Sequence, residues 1–512
     1  MEGHRALKSI QSSTGSKGLA TECEEEQPLS PMARLFHQPG ASVYIIGIVG
    51  SKTKLIPEVA KASLVHHLLM HPRFSSLQVK DEKNGGMKWV PTRLNLDDHI
   101  VVPKLNPNME SADKFVEDYL SHLTTTTIDP SKPLWDLHLL DIKTTESEGI
   151  IIYRIHHSIG DGTSLMSLLL TCSRKLSDPM ALPTLPSAKI KSFSVNNYRI
   201  LTMIRSTWYS IIGVVLFVAT ALFLKDTKTP IRGPPGVESK RRRIVKRTIS
   251  LDDAKLVKRT MNVTINDVVL GVTQAGLSWY LNMRYGEQKS HQGSSEENNH
   301  LPKNIRLRAI FFFNLRPFSG TQDLVDKKAK DTPITLENKI GYVVLPFSIR
   351  FLENPLDYIW EAKAAVDKKK SSFEPVFSNI LVNKLIKLFG IRVAGFFNHN
   401  IFTNTTLWFS NVPGTEDEIA YCGHEVSYYA PTCYGQPNSL MIHVVSYVNK
   451  LIFVVSAEEE TIPDPHQLCD VLKTPSSLSW MLSYLNNMHE QPRIRMNYMP
   501  TTSKQKTDAA SL

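Results

Sequence analysis

His156 and His157 stand side by side, followed directly by Ser158, Ile159, Gly160, Asp161 and Gly162. Histidine has a proton affinity close to neutrality, so such a pair suggests general-base chemistry. One imidazole would take a proton from an attacking hydroxyl and later return it to a leaving group such as a thiolate. Neighbouring side chains on a strand or extended turn point to opposite sides, so the two imidazoles do not share one site; one acts and the other supports. A metal reading would use one histidine, Asp161 and His138 as ligands, although no His-Glu-x-x-His or similar spacing accompanies them. A purely structural histidine pair is the third reading. No Gly-x-Ser-x-Gly turn for a serine nucleophile is apparent.

The elements that must position this group are legible on either side of it. Ile150 to Ile155 is a β-branched run of the kind found in buried strands, and it leads straight into His156; Leu134 to Ile142 reads as a companion strand. After the Gly160-Asp161-Gly162 turn, Thr163 or Ser164 is expected to cap a helix with Leu165, Met166, Leu168, Leu169 and Cys172 on its apolar face. The motif therefore sits at a strand-to-helix turn, where a buried strand aims side chains that a turn exposes.

The chain has 512 residues, enough for two domains, and its 42% hydrophobic and 21% charged composition suits a folded core. Five scattered cysteines, Cys23, Cys172, Cys422, Cys433 and Cys469, fit a reducing compartment without structural zinc. The first thirty residues lack the apolar core of a secretory signal. A net charge of +10 suits an anionic partner. The densest basic run, Lys240 to Arg243 with Lys246 and Arg247, follows an apolar segment and so favours lipid headgroups; a solvated linker is the plain alternative. That cluster lacks the interleaved aromatic residues or recognisable module that nucleic-acid binding would need.

The expected organisation is a disordered tail over 1–27, a first domain over 28–200, a hydrophobic segment over 205–225, a basic linker over 226–245, a second domain over 246–488 and a mobile tail over 489–512. In the second domain the pattern predicts a helix from about Ser250 to Tyr280, broken around Asn262 to Thr264, and an exposed loop from Gly286 to Asn304. Strands are expected at Ala309–Asn314, Gly341–Ile349, Thr406–Ser410, Ser439–Val448 and Leu451–Ala457.

His156 to Gly162 resembles the His-His-x-x-x-Asp-Gly motif of the coenzyme A-dependent acyltransferase superfamily, which includes chloramphenicol acetyltransferase and peptide-synthetase condensation domains. Around it, Pro28-Leu29-Ser30-Pro31-Met32-Ala33, Pro133-Leu134-Trp135, Asn266-Asp267-Val268, Asn314-Leu315-Arg316-Pro317, Asn338-Lys339-Ile340-Gly341 and Ser410-Asn411-Val412-Pro413-Gly414 resemble the plant form of the bifunctional wax ester synthase/diacylglycerol acyltransferase family. The resemblance implies a two-domain α/β fold like that of chloramphenicol acetyltransferase, with an inserted hydrophobic membrane segment. It implies transfer of a fatty acyl group from acyl-CoA, a substrate rather than a cofactor, to a long-chain fatty alcohol or diacylglycerol, without a metal, a cofactor or an acyl-enzyme. On that pattern His157 is the general base, His156 supports it, Asp161 is structural through an arginine such as Arg316 or Arg34, and Gly162 leaves backbone room. Asn266, Asn314 and Asn411 are candidates for substrate or oxyanion contacts, each of which could equally cap a turn. An acyltransferase for a small soluble alcohol or amine, or a non-catalytic lipid-binding protein, are the alternatives on the same fold.

Trp208 to Leu224 is a charge-free run of seventeen residues, at the short limit for a bilayer span. In the resembled fold both halves build one site, so a single crossing here would separate them, and basic residues on both sides give no orientation. The expectation is therefore a re-entrant or interfacial element that touches membrane lipids, with a buried core helix as the alternative. The endoplasmic reticulum membrane with both catalytic domains cytosolic is the expected location, with the plasma membrane as the second choice.

Overall fold

The computed structural model describes residues 26–67, 71–82, 85–106, 109–184, 199–290, 299–315, 336, 338–473 and 481–485. Two large mixed sheets carry the expected α/β architecture. The first runs in the order Ile100–Val101, Trp135–Leu140, Gly149–His156, Tyr44–Ser51, His424–Tyr434, Ile419–Tyr421, Ser173–Lys175. The second runs Ile340–Phe347, Leu307–Asn314, Leu407–Val412, Leu440–Tyr447, Lys450–Glu458, Arg242–Ser250. A small sheet of Gln27–Pro28, Gly86–Pro91 and Ser76–Asp81 lies apart.

Alternation along the second sheet explains why its strands read as continuous apolar runs. Ile310, Trp408 and Met441 join a core shared with the first half, while Ala309, Leu407, Phe409 and Ile442 face a second core with the helices Leu251–Met261, Ile265–Ser290 and Pro465–Lys473. A sheet covered on both faces needs no polar side. The first sheet is completed by residues 419–434, which belong to the second half of the sequence; the strand His424–Tyr434 pairs with Tyr44–Ser51 from Val426 to Tyr434. The second half thus lends chain to the sheet of the first.

The basic run departs from expectation. Arg242–Ser250 is the edge strand of the second sheet, paired with Lys450–Glu458, so it begins inside the stretch expected as a linker. Its cations are spent within the molecule. Arg242 is buried and donates to the carbonyls of Gln436 and Asn438, and Arg243, Lys246 and Arg247 pair with Asp118, Glu146 and Asp470. This leaves little of the cluster for lipid headgroups. The helix Ile265–Ser290 also runs further than expected, into the predicted loop, and Asn262 at φ 51° closes the preceding helix where the break was expected.

The apolar run lies on the helix Arg199–Leu222, which is attached to the body along its length. Ser210 Oγ accepts the Phe373 N–H at 2.9 Å, buried Phe217 meets Tyr342 and Phe377, and Thr220 Oγ1 takes a hydrogen bond from Arg308. Immediately after the helix Asp226 enters the core, accepting from Arg308 N at 2.8 Å, Arg308 Nε at 2.5 Å and Thr406 Oγ1 at 2.7 Å. Both side chains are buried, so removing the carboxylate strands a guanidinium in a low-dielectric interior, at a cost of about 3 to 5 kcal/mol. Asp226→Ala is therefore expected to lower unfolding stability by about that amount in chemical denaturation; a change within about 0.5 kcal/mol contradicts this anchor.

Candidate active site

His157 directly follows the strand Gly149–His156, and its N–H donates to the Val43 carbonyl at 2.9 Å, which carries the extended path past the strand end. Strand parity then puts His157 on the same side as Ile155 and Tyr153. All three line one cavity of about 330 Å³ between the two sheets. Phe312, Trp408 and Met441 from the second sheet and Leu165 and Met166 from the helix Gly162–Thr171 make its walls apolar, and Tyr153 and Tyr421, hydrogen-bonded to each other, also line it. Phe36 stacks on the His157 ring at 4.3 Å between centroids. It is placed by the short helix Pro31–Leu35, which Ser30 caps.

Asn338 helps to determine which nitrogen of His157 holds the proton. Its Nδ2 donates to the carbonyls of His157 at 2.9 Å and Ser158 at 3.2 Å; an amide nitrogen can only donate, so these two acceptors fix the flip of the side chain. The Oδ1 then faces His157 Nδ1 at 3.2 Å, where it accepts a hydrogen bond from Nδ1–H and leaves Nε2 with its lone pair. Burial holds the imidazole below its ordinary pKa of 6.5, so the neutral form prevails near pH 7.

Asp161 is the N-cap of the helix Gly162–Thr171, a position expected for Thr163 or Ser164; the helix starts two or three residues earlier because Asp161 Oδ1 takes the Ser164 N–H at 3.0 Å. Its Oδ2 accepts the Lys339 N–H at 3.1 Å, so the carboxylate ties the histidine turn to the chain that carries Asn338. Of the two arginines suggested for it, Arg34 has its guanidinium beside Gly86 and Arg316 lies outside the described residues. At Gly162 an added Cβ would meet only Val412, at 3.9 Å, an ordinary contact; packing alone does not require glycine here, and the room it leaves belongs to the cavity.

His156 points the other way. Its Nδ1 lies 2.6 Å from Ser158 Oγ, which donates to Gln78 Oε1 at 2.7 Å, and its Nε2 lies 3.3 Å from Ser42 Oγ. His138 bonds Tyr119 at 2.7 Å and Asp136 at 3.0 Å, and its strand partner is Ile152, whose parity is that of His156. It is therefore not brought to His157. Asn314 and Asn411 both line the cavity, whereas Asn266 stands behind Asn411 and accepts its Nδ2 at 3.2 Å.

Two residues of the site had not been singled out by sequence reasoning. Asn338 stood in a quoted block without a role. His443, on the strand Leu440–Tyr447, lines the cavity with its Nδ1 unpartnered among the described residues, and burial pushes its pKa down to about 3. It is neutral at any ordinary pH, a hydrogen-bonding group and not a competing base.

The chain carries a match over residues 50–269 to the wax ester synthase/diacylglycerol acyltransferase catalytic domain and over residues 336–475 to the corresponding C-terminal domain. It is 44% identical over 466 residues to wax ester synthase/diacylglycerol acyltransferase 4 of Arabidopsis thaliana, covering 88% of this chain and 89% of that protein. It is also 44% identical over 468 residues to relative 5 of the same plant, covering 87% and 92%. Among solved structures, a wax ester synthase/diacylglycerol acyltransferase from Marinobacter aquaeolei VT8 shares the fold at a TM-score of 0.56 and 15% identity, over 90% of this chain and 99% of that one. The first condensation domain of the calcium-dependent antibiotic synthetase, in complex with a substrate analogue, does so at 0.54 and 11%, over 89% and 97%. Full-length similarity to the plant relatives, together with both family domains in order, makes this chain a member of the wax ester synthase/diacylglycerol acyltransferase family, and so an acyltransferase.

Proposed function

We propose that this acyltransferase moves a fatty acyl group from acyl-CoA to a long-chain alcohol, giving a wax ester, or to diacylglycerol, giving triacylglycerol, with His157 as general base. The observation that carries the proposal is a neutral imidazole whose Nδ1–H is held by Asn338, so that Nε2 is the free base in an apolar cavity. As the hydroxyl oxygen bonds to the thioester carbonyl carbon, its proton passes to Nε2. Collapse of the tetrahedral anion breaks the C–S bond, and the imidazolium returns the proton to the departing sulfur. Asn314 and Asn411 are the candidate donors to the oxyanion, a contribution of up to about 3 kcal/mol. Asn266 orients Asn411. Acyl-CoA enters as substrate, and no resident metal or cofactor takes part in this scheme.

An apolar cavity suits acyl and alkyl chains, and the outward-facing apolar helix Arg199–Leu222 suits an acceptor that partitions into lipid. In this reading the protein works on a membrane surface, with both halves on the cytosolic side of the endoplasmic reticulum or, as the alternative, the plasma membrane, and the helix lies on the leaflet instead of crossing it. A small soluble acceptor would have no use for such a face.

Labelled palmitoyl-CoA supplied with hexadecanol, diacylglycerol or a short soluble alcohol separates these readings; the proposal expects product with one or both lipid acceptors and fails if only the soluble alcohol is acylated. His157→Ala should leave a folded protein with at least about a hundredfold less ester synthesis, and near-normal turnover contradicts the assignment. Because burial lowers the His157 pKa, the base stays unprotonated as pH falls through 6.5, and the acid limb of kcat/KM should lie below that value; a limb above it would mean another group is titrating. Asn338→Ala should lower kcat by at least about tenfold with little change in KM, since it frees the ring without altering the cavity wall; a change confined to KM would assign Asn338 to substrate binding instead.

A further inference from the structure

The helix Arg199–Leu222 does not face outward alone. Beside it runs the helix Glu374–Thr403, kinked at Gly390 with φ 81°. The two are joined where Phe373 N–H donates to Ser210 Oγ at 2.9 Å, where the Phe377 and Phe217 rings meet, and where Gly213 lies so close to Glu374 that a Cβ would stand 2.6 Å from its carboxylate. Both helices turn large apolar side chains to the outside. Trp208, Val215 and Phe223 on or just beyond the first, and Leu388, Phe389 and Phe396 on the second, are between 59% and 70% exposed. Phe373, Val376 and Ile380 are exposed as well, and their spacing of three and four residues keeps them on one face and continues the surface from one helix to the other. Monomeric soluble proteins rarely leave extended apolar patches uncovered.

The charges on these segments are of one sign. From Met203 to Lys228 and from Phe373 to Thr403, the exposed charged residues are Arg205, Lys225, Lys228, Lys384, Lys387 and Arg392, all cationic. The two acids in the same stretches, Asp226 and Glu374, are buried against Arg308 and Lys369. An apolar face whose own exposed charges are all basic matches a bilayer carrying anionic headgroups: the apolar side chains enter the acyl boundary while long basic side chains reach to the phosphates.

We infer that the helices Arg199–Leu222 and Glu374–Thr403 together form a docking surface for a membrane containing anionic phospholipid. This rests on the membrane-surface reading above and adds to it a second element and a headgroup preference. The second helix also packs on the strand that borders the cavity: Glu374 Oε1 accepts the Val344 N–H at 3.1 Å, and Asn379 Nδ2 donates to the carbonyl of Ile340, a residue of the cavity wall two positions from Asn338. Docking would therefore seat the cavity close to the lipid that supplies its acceptor.

The test is vesicle flotation of the full-length protein with phosphatidylcholine vesicles, with and without phosphatidylserine, at low and high salt. His157→Ala protein is run in parallel, because it removes turnover without touching the surface. Wild type and His157→Ala should float equally, more strongly with phosphatidylserine, and salt should weaken that preference. The pair Leu388→Asp and Phe389→Asp should cut binding by at least about tenfold, with the melting temperature unchanged because both side chains are exposed. Lys384→Glu with Lys387→Glu should remove the phosphatidylserine preference while retaining part of the binding. Wild type that does not float, or that self-associates instead, overturns the membrane reading itself. Wild type that floats without preference for phosphatidylserine overturns this inference, and so does wild type that floats while the Leu388/Phe389 pair still binds normally, which would leave the first helix as a lone anchor.

Discussion

The site depends on one side chain from the second half of the protein clasping the backbone of the first. Asn338 lies 181 residues from His157, yet it holds two consecutive carbonyls of the histidine turn and the imidazole Nδ1 at once. The Lys339 N–H adds a bond to Asp161 on the other side of that turn. These contacts make the base a property of the assembled molecule. Without the second half the ring loses this partner and the cavity lacks a wall; the second half also lends the first sheet two strands and shares its core.

The same requirement bears on the apolar helix. A segment that crossed a bilayer between the halves would pull this clasp apart. The helix instead runs along the body, bonded at Ser210 and Thr220 and packed at Phe217, and the chain dives back into the core at Asp226. Its outer face remains apolar, so the helix has the length and composition of a span while one side of it packs against the body.

Much of this was legible because the signals were local. The strand Gly149–His156, its companion and the strands around Asn314, Ser410 and Val444 are apolar runs bounded by turns, and the quoted blocks fall where packing is tightest: an added Cβ at Gly341 would stand 2.1 Å from the Pro375 carbonyl, and at Gly414 2.0 Å from that of Ser446. What stayed hidden depended on distant partners. Arg242–Ser250 reads as a charged linker because the acids that neutralise it lie far away in sequence. The strand His424–Tyr434 contains Pro431, which argues against a central strand; it is accommodated because the opposite neighbour pairs only at His424 and Glu425. Asn338 looked like any asparagine at a strand start, and His443 like any residue in a buried strand.

The central claim is that His157 presents an unprotonated Nε2 because Asn338 holds the proton on Nδ1. Imidazole ¹⁵N chemical shifts of protein labelled only at histidine, with the His157 pair assigned by its loss in His157→Gln, report this directly at neutral pH. The account predicts a protonated Nδ1 and a bare Nε2, with the preference weakened in Asn338→Ala; a proton on Nε2 in the wild-type protein would contradict it.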